Sequence, residues 1–321
     1  MALPDYVSFR GHGEVSIAAP GVFDDSYSTL FFVRADPART QALVDKILNA
    51  ASGGAVRYEV LGPFAAANFL SVGRCTSPTE EFGWIPYKEA SLWLPVIEHR
   101  KGRLPRLLVW MPYMFPDAMI PIACGRESWG FAKSMGRITV PDGCSGPTTF
   151  QAETMLFHRL SSDCQGEVAP LLTAQSAQAS LGGLWKTLAD LVADAGDVLK
   201  NLVEPGGLAE GMVVVADAAA MLLTGTVPVV NLKQFRDAAD SGKACYQALV
   251  NCPMHINDFR GAWPLLGDWT LTVADGYASH QVVEDFGFQT DGTSAKVHVD
   301  LAVTVHMDFQ ANPGKIVWQA G

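Results

Sequence analysis

Charge is scarce in this sequence. Asp, Glu, Lys and Arg make up 17% of its 321 residues, against about a quarter in an ordinary soluble chain. The little charge there is leans acidic, with 23 Lys and Arg against 33 Asp and Glu, a net of −10 at pH 7. No basic cluster offsets this balance, so a phosphate backbone would be repelled and nucleic acid is not an expected partner. The cysteines, Cys75, Cys124, Cys144, Cys164, Cys245 and Cys252, include no C-x-x-C pair and no structural-zinc spacing with histidine. They read as free thiols in a reducing, cytoplasmic setting. The opening residues MALPDYVSFRGHGEV have neither the basic nor the apolar stretch of a secretory signal.

Long hydrophobic runs are equally scarce. One candidate, Gly211 to Val230, is nearly long enough to span a bilayer. It contains Asp217 and Pro228 and has no flanking Lys or Arg until Lys233. A buried helix followed by a buried strand fits it better, and no membrane partner is expected. The sequence also lacks G-x-G-x-x-G after a strand and the phosphate-binding G-x-x-x-x-G-K-[ST], so it signals no nucleotide cofactor. H-E-x-x-H and G-x-S-x-G are absent too. His298 and His306 stand eight apart on one expected strand, roughly 26 Å at about 3.3 Å per residue, too far to share a metal. No metal and no cofactor are expected.

What is present is mostly strand. FDDSYSTLFFVRAD reads as a strand ending at Asp36, which can cap a helix opened by Pro37 and striped by Leu43, Val44, Ile47 and Leu48. From Val56 to about Ala123, short β-rich segments such as RYEVLGPFAAANFLSV, EASLWLPVIEH, PRLLVWMPYMF and MIPIACG are broken by Gly and Pro. GRITVPDG adds a strand and turn. Residues 174–204 carry Leu181, Leu184, Trp185, Leu188, Leu191, Val192, Val198, Leu199 and Leu202 at spacings of three and four, which predicts a long amphipathic helix stopped at Pro205-Gly206-Gly207. The last third returns to strands in VPVVNLKQF, ACYQALVNCP, DWTLTVA and KVHVDLAVTVHMDF; the last alternates as one half-buried strand. No internal repeat or linker divides the chain. The reading is one α+β domain over 1–321: a large, mostly antiparallel sheet or barrel with flanking helices and a helical excursion at about 174–225.

One segment, GRESWGFAKSMG from Gly125 to Gly136, carries a lone lysine among aromatic, small and glycine residues. Trp129, Phe131 and Met135 can dehydrate Lys133, and the glycines let backbone or substrate approach. Desolvation favours a neutral amine, and a neutral amine attacks carbonyls to form an imine, an electron sink for breaking carbon–carbon bonds. A lysine beside aromatics can equally snorkel to water. The pattern alone leaves both open.

The segment resembles the Gly-Arg-Glu-x-x-(Gly/Ala)-aromatic-Pro-Lys-Lys signature of the acetoacetate decarboxylase family. FFVRADPARTQALV, GWIPYKEASLWLPV, NLKQFRDAADSGKACYQALV and DFQANPGKIVW resemble further segments of it. The resemblance implies a cone-like β-barrel with flanking helices, assembled as a homo-oligomer. It implies that Lys133 is the Schiff-base lysine and that Glu89 faces it to orient the iminium or shuttle a proton. It also implies that Phe131 lines the pocket, and that Arg126 and Glu127 form an ion pair positioning the loop; Trp129 and Met135 join the expected substrate-binding residues from their place around the lysine. The expected partner is a small keto acid or other carbonyl compound. The expected activity is a lyase of the decarboxylase type; the alternatives are an imine-dependent aldolase or dehydratase, and a non-catalytic binding or scaffolding relative.

Departures from the family pattern narrow that expectation. Ser134 replaces the second lysine, so no neighbouring cation acts on Lys133. Ala132 replaces the usual proline, leaving the loop less rigid. The family's carboxylate-binding arginine falls near Ser26, where the chain has only Asp24, Asp25 and Ser26. A second family glutamate falls near Ser71 or on Glu59. Without that arginine, acetoacetate loses its charge partner, and a larger, more apolar substrate is expected.

Overall fold

The computed structural model describes residues 4–14, 16–187, 189–190 and 224–321. Its first strand, β1, runs from Gly21 to Arg34 and hands over to helix α1, Pro37–Val44. The sequence dictates that handover. Asp36 Oδ1 accepts from the amides of Ala38 at 2.8 Å and Arg39 at 3.2 Å, and Pro37 begins the helix where its missing N–H costs nothing. A π-helical turn, Asp45–Asn49, and a short α2, Ala50–Ser52, continue the helix to Gly53, which ends it in the left-handed region. Strands β2 (Arg57–Val60), β3 (Phe64–Thr76), β4 (Ile85–His99) and β5 (Arg106–Pro116) follow.

After β5 the structure departs from one expectation. MIPIACG is not a strand but helix α3, Met119–Cys124, which runs into a second π-helical turn, Gly125–Trp129. A six-residue apolar run carries no period of its own to choose helix or strand. Pro121 is tolerated because it lies in the first turn. Strands β6 (Gly136–Thr139), β7 (Gly146–Leu156) and β8 (Glu167–Leu181) come next. Here a second expectation fails: residues 174–181, placed at the start of a long helix, are the end of β8. Strand β7 pairs along one side of β8 and strand β11 (Thr270–Ala274) along the other, and that pairing overrides the helical spacing of the leucines. Residues 182–187 are not helical, 189–190 are, and the remainder of the expected helix lies outside the described residues.

The remaining elements are β9 (Thr226–Arg236), the 23-residue β10 (Ala244–Leu266), α4 (Val282–Phe286), β12 (Ser294–His298), β13 (Leu301–Ala311) and β14 (Lys315–Gln319). KVHVDLAVTVHMDF is therefore two strands. At the break the Val299 amide donates to Trp269 and the Asp300 amide donates to Phe32, so the chain leaves β11 and joins β1. His298 and His306 end up on different strands.

The strands of the described residues form one 14-stranded sheet that closes on itself. The path β10–β13–β1–β3–β4–β5–β9 returns to β10, making a seven-stranded ring. Every contact in the ring is antiparallel except the β5–β9 seam, where Val109 and Trp110 run parallel to Val229 and Val230. Two cores follow from the two faces of these strands. Phe31, Phe69, Phe150 and Trp269 pack together where the outer faces of β1 and β3 meet β7 and the residue preceding β11. Phe23, Leu70, Tyr87, Met111, Val229, Cys252 and Phe309 come one from each ring strand and cluster inside the ring. A bulge between Phe23 and Ser26, with Asp25 at φ 52°, shifts the alternation of β1 so that both Phe23 and Ser28 face inward.

Candidate active site

The lysine-bearing segment crosses this inner core, and its glycines explain why it can. At Gly125 a Cβ would lie 2.8 Å from Lys133 Cδ and 2.9 Å from Cε, so only glycine leaves a channel for the lysine side chain. Gly130 has φ +80°, and a Cβ there would meet the Lys233 backbone at 2.5 Å. Gly136 lets the chain pass Phe115. Backbone bonds fix the path between them: Phe131 N donates to Gly125 O at 3.0 Å and Ser134 N to Met114 O at 3.0 Å. Trp129 Nε1 donates to Asn312 O at 2.8 Å, tying the segment to the end of the chain.

Lys133 thereby enters the ring and meets Glu89 of β4. The ammonium donates to Glu89 Oε2 at 2.7 Å, with the two residues 8% and 4% exposed. Lys133 Nζ also lies 5.4 Å from the Phe131 ring centroid, within cation–π range. Both residues border a cavity of about 100 Å³, room for several waters or a small organic molecule. Its walls are chiefly apolar, with Met111, Met114, Met254, Met307 and Phe309 contributing from three ring strands. Lys133 is the only cationic residue and Glu89 the only carboxylate among the described residues that line it. The other titratable groups there stay neutral. Burial pushes the Cys75 thiol up to about 12, raises Cys124, and holds the Tyr87 phenol well above its usual range.

Of the residues singled out in the sequence, Lys133, Glu89, Phe131 and Trp129 converge on the cavity. Arg126, Glu127 and Met135 do not. The π-helical turn carries Arg126 and Glu127 outward to solvent, and Met135 is 46% exposed beyond the lysine. No ion pair joins Arg126 to Glu127 among the described residues. Instead Arg126 Nη1 donates to the Lys133 carbonyl at 3.3 Å, so it braces the segment from outside. Ser134 and Ala132 are exposed.

The positions matched to the family's arginine and second glutamate lie away from the cavity. Glu59 of β2 pairs with Arg57 of the same strand and with His99 at the end of β4, and neither Ser26 nor Ser71 lines the cavity. The residues from β1 and β3 that do are Ser28 and Asn68, hydrogen-bonded to each other at 2.7 Å. Sequence reasoning missed both. A polar Asn68 inside FAAANFLSV, where its neighbours are apolar, was the available signal. Among the described residues no group of three or more His, Cys, Asp or Glu is placed to hold a metal ion, and no helix is long and apolar enough to cross a membrane.

Comparison with known proteins bears on the family and the fold. The family model described as acetoacetate decarboxylase matches residues 9–204. No curated protein sequence matches the chain. Among solved structures, an acetoacetate decarboxylase from Legionella pneumophila subsp. pneumophila str. Philadelphia 1 superposes with a TM-score of 0.59 at 17% identity, covering 99% of this chain and 93% of its own. The enduracididine biosynthesis enzyme MppR, complexed with the condensation product of pyruvate and imidazole 4-carboxaldehyde, gives 0.55 at 15% identity, covering 98% of this chain and 97% of its own. An acetoacetate decarboxylase-like enzyme from Sphingomonas wittichii RW1 gives 0.56 at 13% identity, covering 99% and 100%. At such identities the likeness is one of fold.

Proposed function

The chain belongs to the acetoacetate decarboxylase family, and from that premise we propose that it is a lyase that breaks carbon–carbon bonds through an imine on Lys133. The observation that carries this reading is the Lys133–Glu89 pair, held at 2.7 Å against the cavity. Glu89 accepts a proton from the ammonium, and the freed amine attacks the substrate carbonyl. The same carboxyl returns a proton to the carbinolamine oxygen, which leaves as water, and the iminium stays paired with the Glu89 carboxylate. Cleavage of the adjacent carbon–carbon bond sends its electron pair to the iminium nitrogen as an enamine. Protonation at carbon and hydrolysis then release the product and Lys133. With a β-keto acid the departing fragment is carbon dioxide, and the enzyme is a carboxy-lyase.

A second reading keeps the imine and changes the fragment: aldol or retro-aldol chemistry, with or without dehydration. It is favoured by the absence of any cation but Lys133 among the described cavity-lining residues. A bound carboxylate would leave the iminium facing two anions in an apolar space, which is costly.

The test is borohydride trapping with acetoacetate, pyruvate and a longer β-keto acid, followed by intact-mass and peptide mass spectrometry. A reduced adduct on Lys133, absent from Lys133→Ala, is expected. Its mass separates a decarboxylated intermediate from an intact one. No adduct with any carbonyl compound would point instead to a non-catalytic binding protein.

A further inference from the structure

Ser28 and Asn68 supply the hydroxyl and the carboxamide on the described cavity wall, beside the Tyr87 phenol, the thiols of Cys75 and Cys124, and the indoles of Trp93 and Trp129. Both are buried, 2% exposed each, on neighbouring strands of the ring. The Ser28 hydroxyl donates to Asn68 Oδ1 at 2.7 Å, which fixes the carboxamide plane. Asn68 Nδ2 donates to no acceptor among the described residues, yet it is not sealed away with the shielded unpartnered atoms of the protein. For a residue this buried on the cavity wall, the space open to that N–H is the cavity. A buried donor left unpaired is unfavourable, so the wall is built for an acceptor that arrives with the ligand.

The charge of that acceptor follows from the surroundings. A carboxylate would find one neutral N–H, no second cation, and the Glu89 carboxylate on the same apolar cavity. A hydroxyl, ketone or other uncharged oxygen needs no counter-charge. We infer that Ser28 and Asn68 form a neutral binding pole, at which Asn68 Nδ2 donates to an uncharged oxygen on a ketone or aldehyde substrate whose carbonyl faces Lys133. The preferred ligands are oxygenated, uncharged carbonyl compounds with an apolar body, and charged keto acids are selected against. The assignment rests on Lys133 being the imine-forming residue, and it favours the aldol over the carboxy-lyase outcome.

Four probes test it on the full chain: 2-pentanone, 4-hydroxy-2-pentanone, 2,4-pentanedione and acetoacetate. Calorimetry reads equilibrium binding, and borohydride trapping reads adducts on Lys133. The two oxygenated neutral ketones are expected to bind roughly three- to tenfold tighter than 2-pentanone, the span of one neutral hydrogen bond, with acetoacetate weakest. Asn68→Leu should abolish that gap. Ser28→Ala, which unfixes the carboxamide and is the milder change, should narrow it even if Asn68→Leu fails to fold. Equal binding of the neutral ketones to the native protein, tightest binding of acetoacetate, or a gap that survives in both variants would overturn the inference. Adducts on Lys133 without a gap would sink the neutral pole and leave the imine reading standing; a gap without adducts would do the reverse.

Discussion

A buried carboxylate that pairs with a lysine serves two purposes that substitution can separate. Glu89→Gln keeps a hydrogen-bonding partner of the same shape for Lys133 but cannot accept a proton. Adduct formation should slow by about 10²- to 10⁴-fold, read from the time course of borohydride trapping. Stability responds differently. Lys133→Met leaves Glu89 buried and unpaired, at a cost of about 3–5 kcal/mol, whereas Lys133→Met combined with Glu89→Leu should recover most of that loss. Urea denaturation of the two variants would decide it, and a double variant no more stable than the single would show that the pair holds the ring together by itself. Gly125→Ala probes the channel. Its Cβ would fall 2.8 Å from Lys133 Cδ, so the lysine must move off Glu89. Trapping should fall toward the Lys133→Ala level, with the overall fold retained by circular dichroism.

At the level of elements, local chemistry and long-range pairing divide the outcome. The Asp36 cap, the Pro37 start and the stripe of Leu43, Val44 and Leu48 along α1 and the π-helical turn after it were legible because a helix carries its signals within a few residues. Asp36→Ala should cost about 1 kcal/mol in denaturant unfolding. Where partners lie far along the chain, the sequence misleads. The TAQSAQAS stretch of β8 looks helical beside the leucines that follow it, but β7 and β11 on its two sides make it a strand. The alternation through Val297 to Val305 is continuous on paper; the break at Val299 and Asp300 is set by acceptors on Trp269 and Phe32. The active-site segment shows both behaviours. Its lysine and glycines stand out in the sequence, and Gly130 is required by conformation and by contact together. Gly130→Ala should therefore destabilise by more than the roughly 1–2 kcal/mol of a left-handed alanine alone, measurable as a shift in urea midpoint.

For the whole molecule, the ring turns scattered residues into one interior. Lys133 was found from its own segment and Glu89 through a resemblance, but Ser28, Asn68 and the methionines come from separate strands with no shared motif. Only the strand register brings them together. The interior also sets how stability depends on pH. Burial raises the thiols of Cys75 and Cys252 to about 12. In the unfolded chain such thiols ionise near pH 8.5. The folded state therefore holds protons that the unfolded state has lost, and stability falls as pH rises from about 9 to 12. The buried phenols of Tyr58, Tyr87 and Tyr113, also raised by burial, push the same way above about pH 10. Chemical denaturation at pH 8 and pH 10.5 should show the decline, steeper in the native protein than in Cys75→Ala combined with Cys252→Ala.

The charge balance inside the ring has a bearing on how ligands reach it. An uncharged ketone leaves that interior electrically balanced and feels no long-range pull from a chain of net charge −10. Its capture rate should be indifferent to ionic strength. A keto acid approaches against the field of the whole molecule, and added salt, by screening that repulsion, should speed its capture. The net negative charge of the chain should thus act as a kinetic filter: dilute buffer sharpens the choice of neutral over anionic carbonyl compounds, and concentrated salt blunts it.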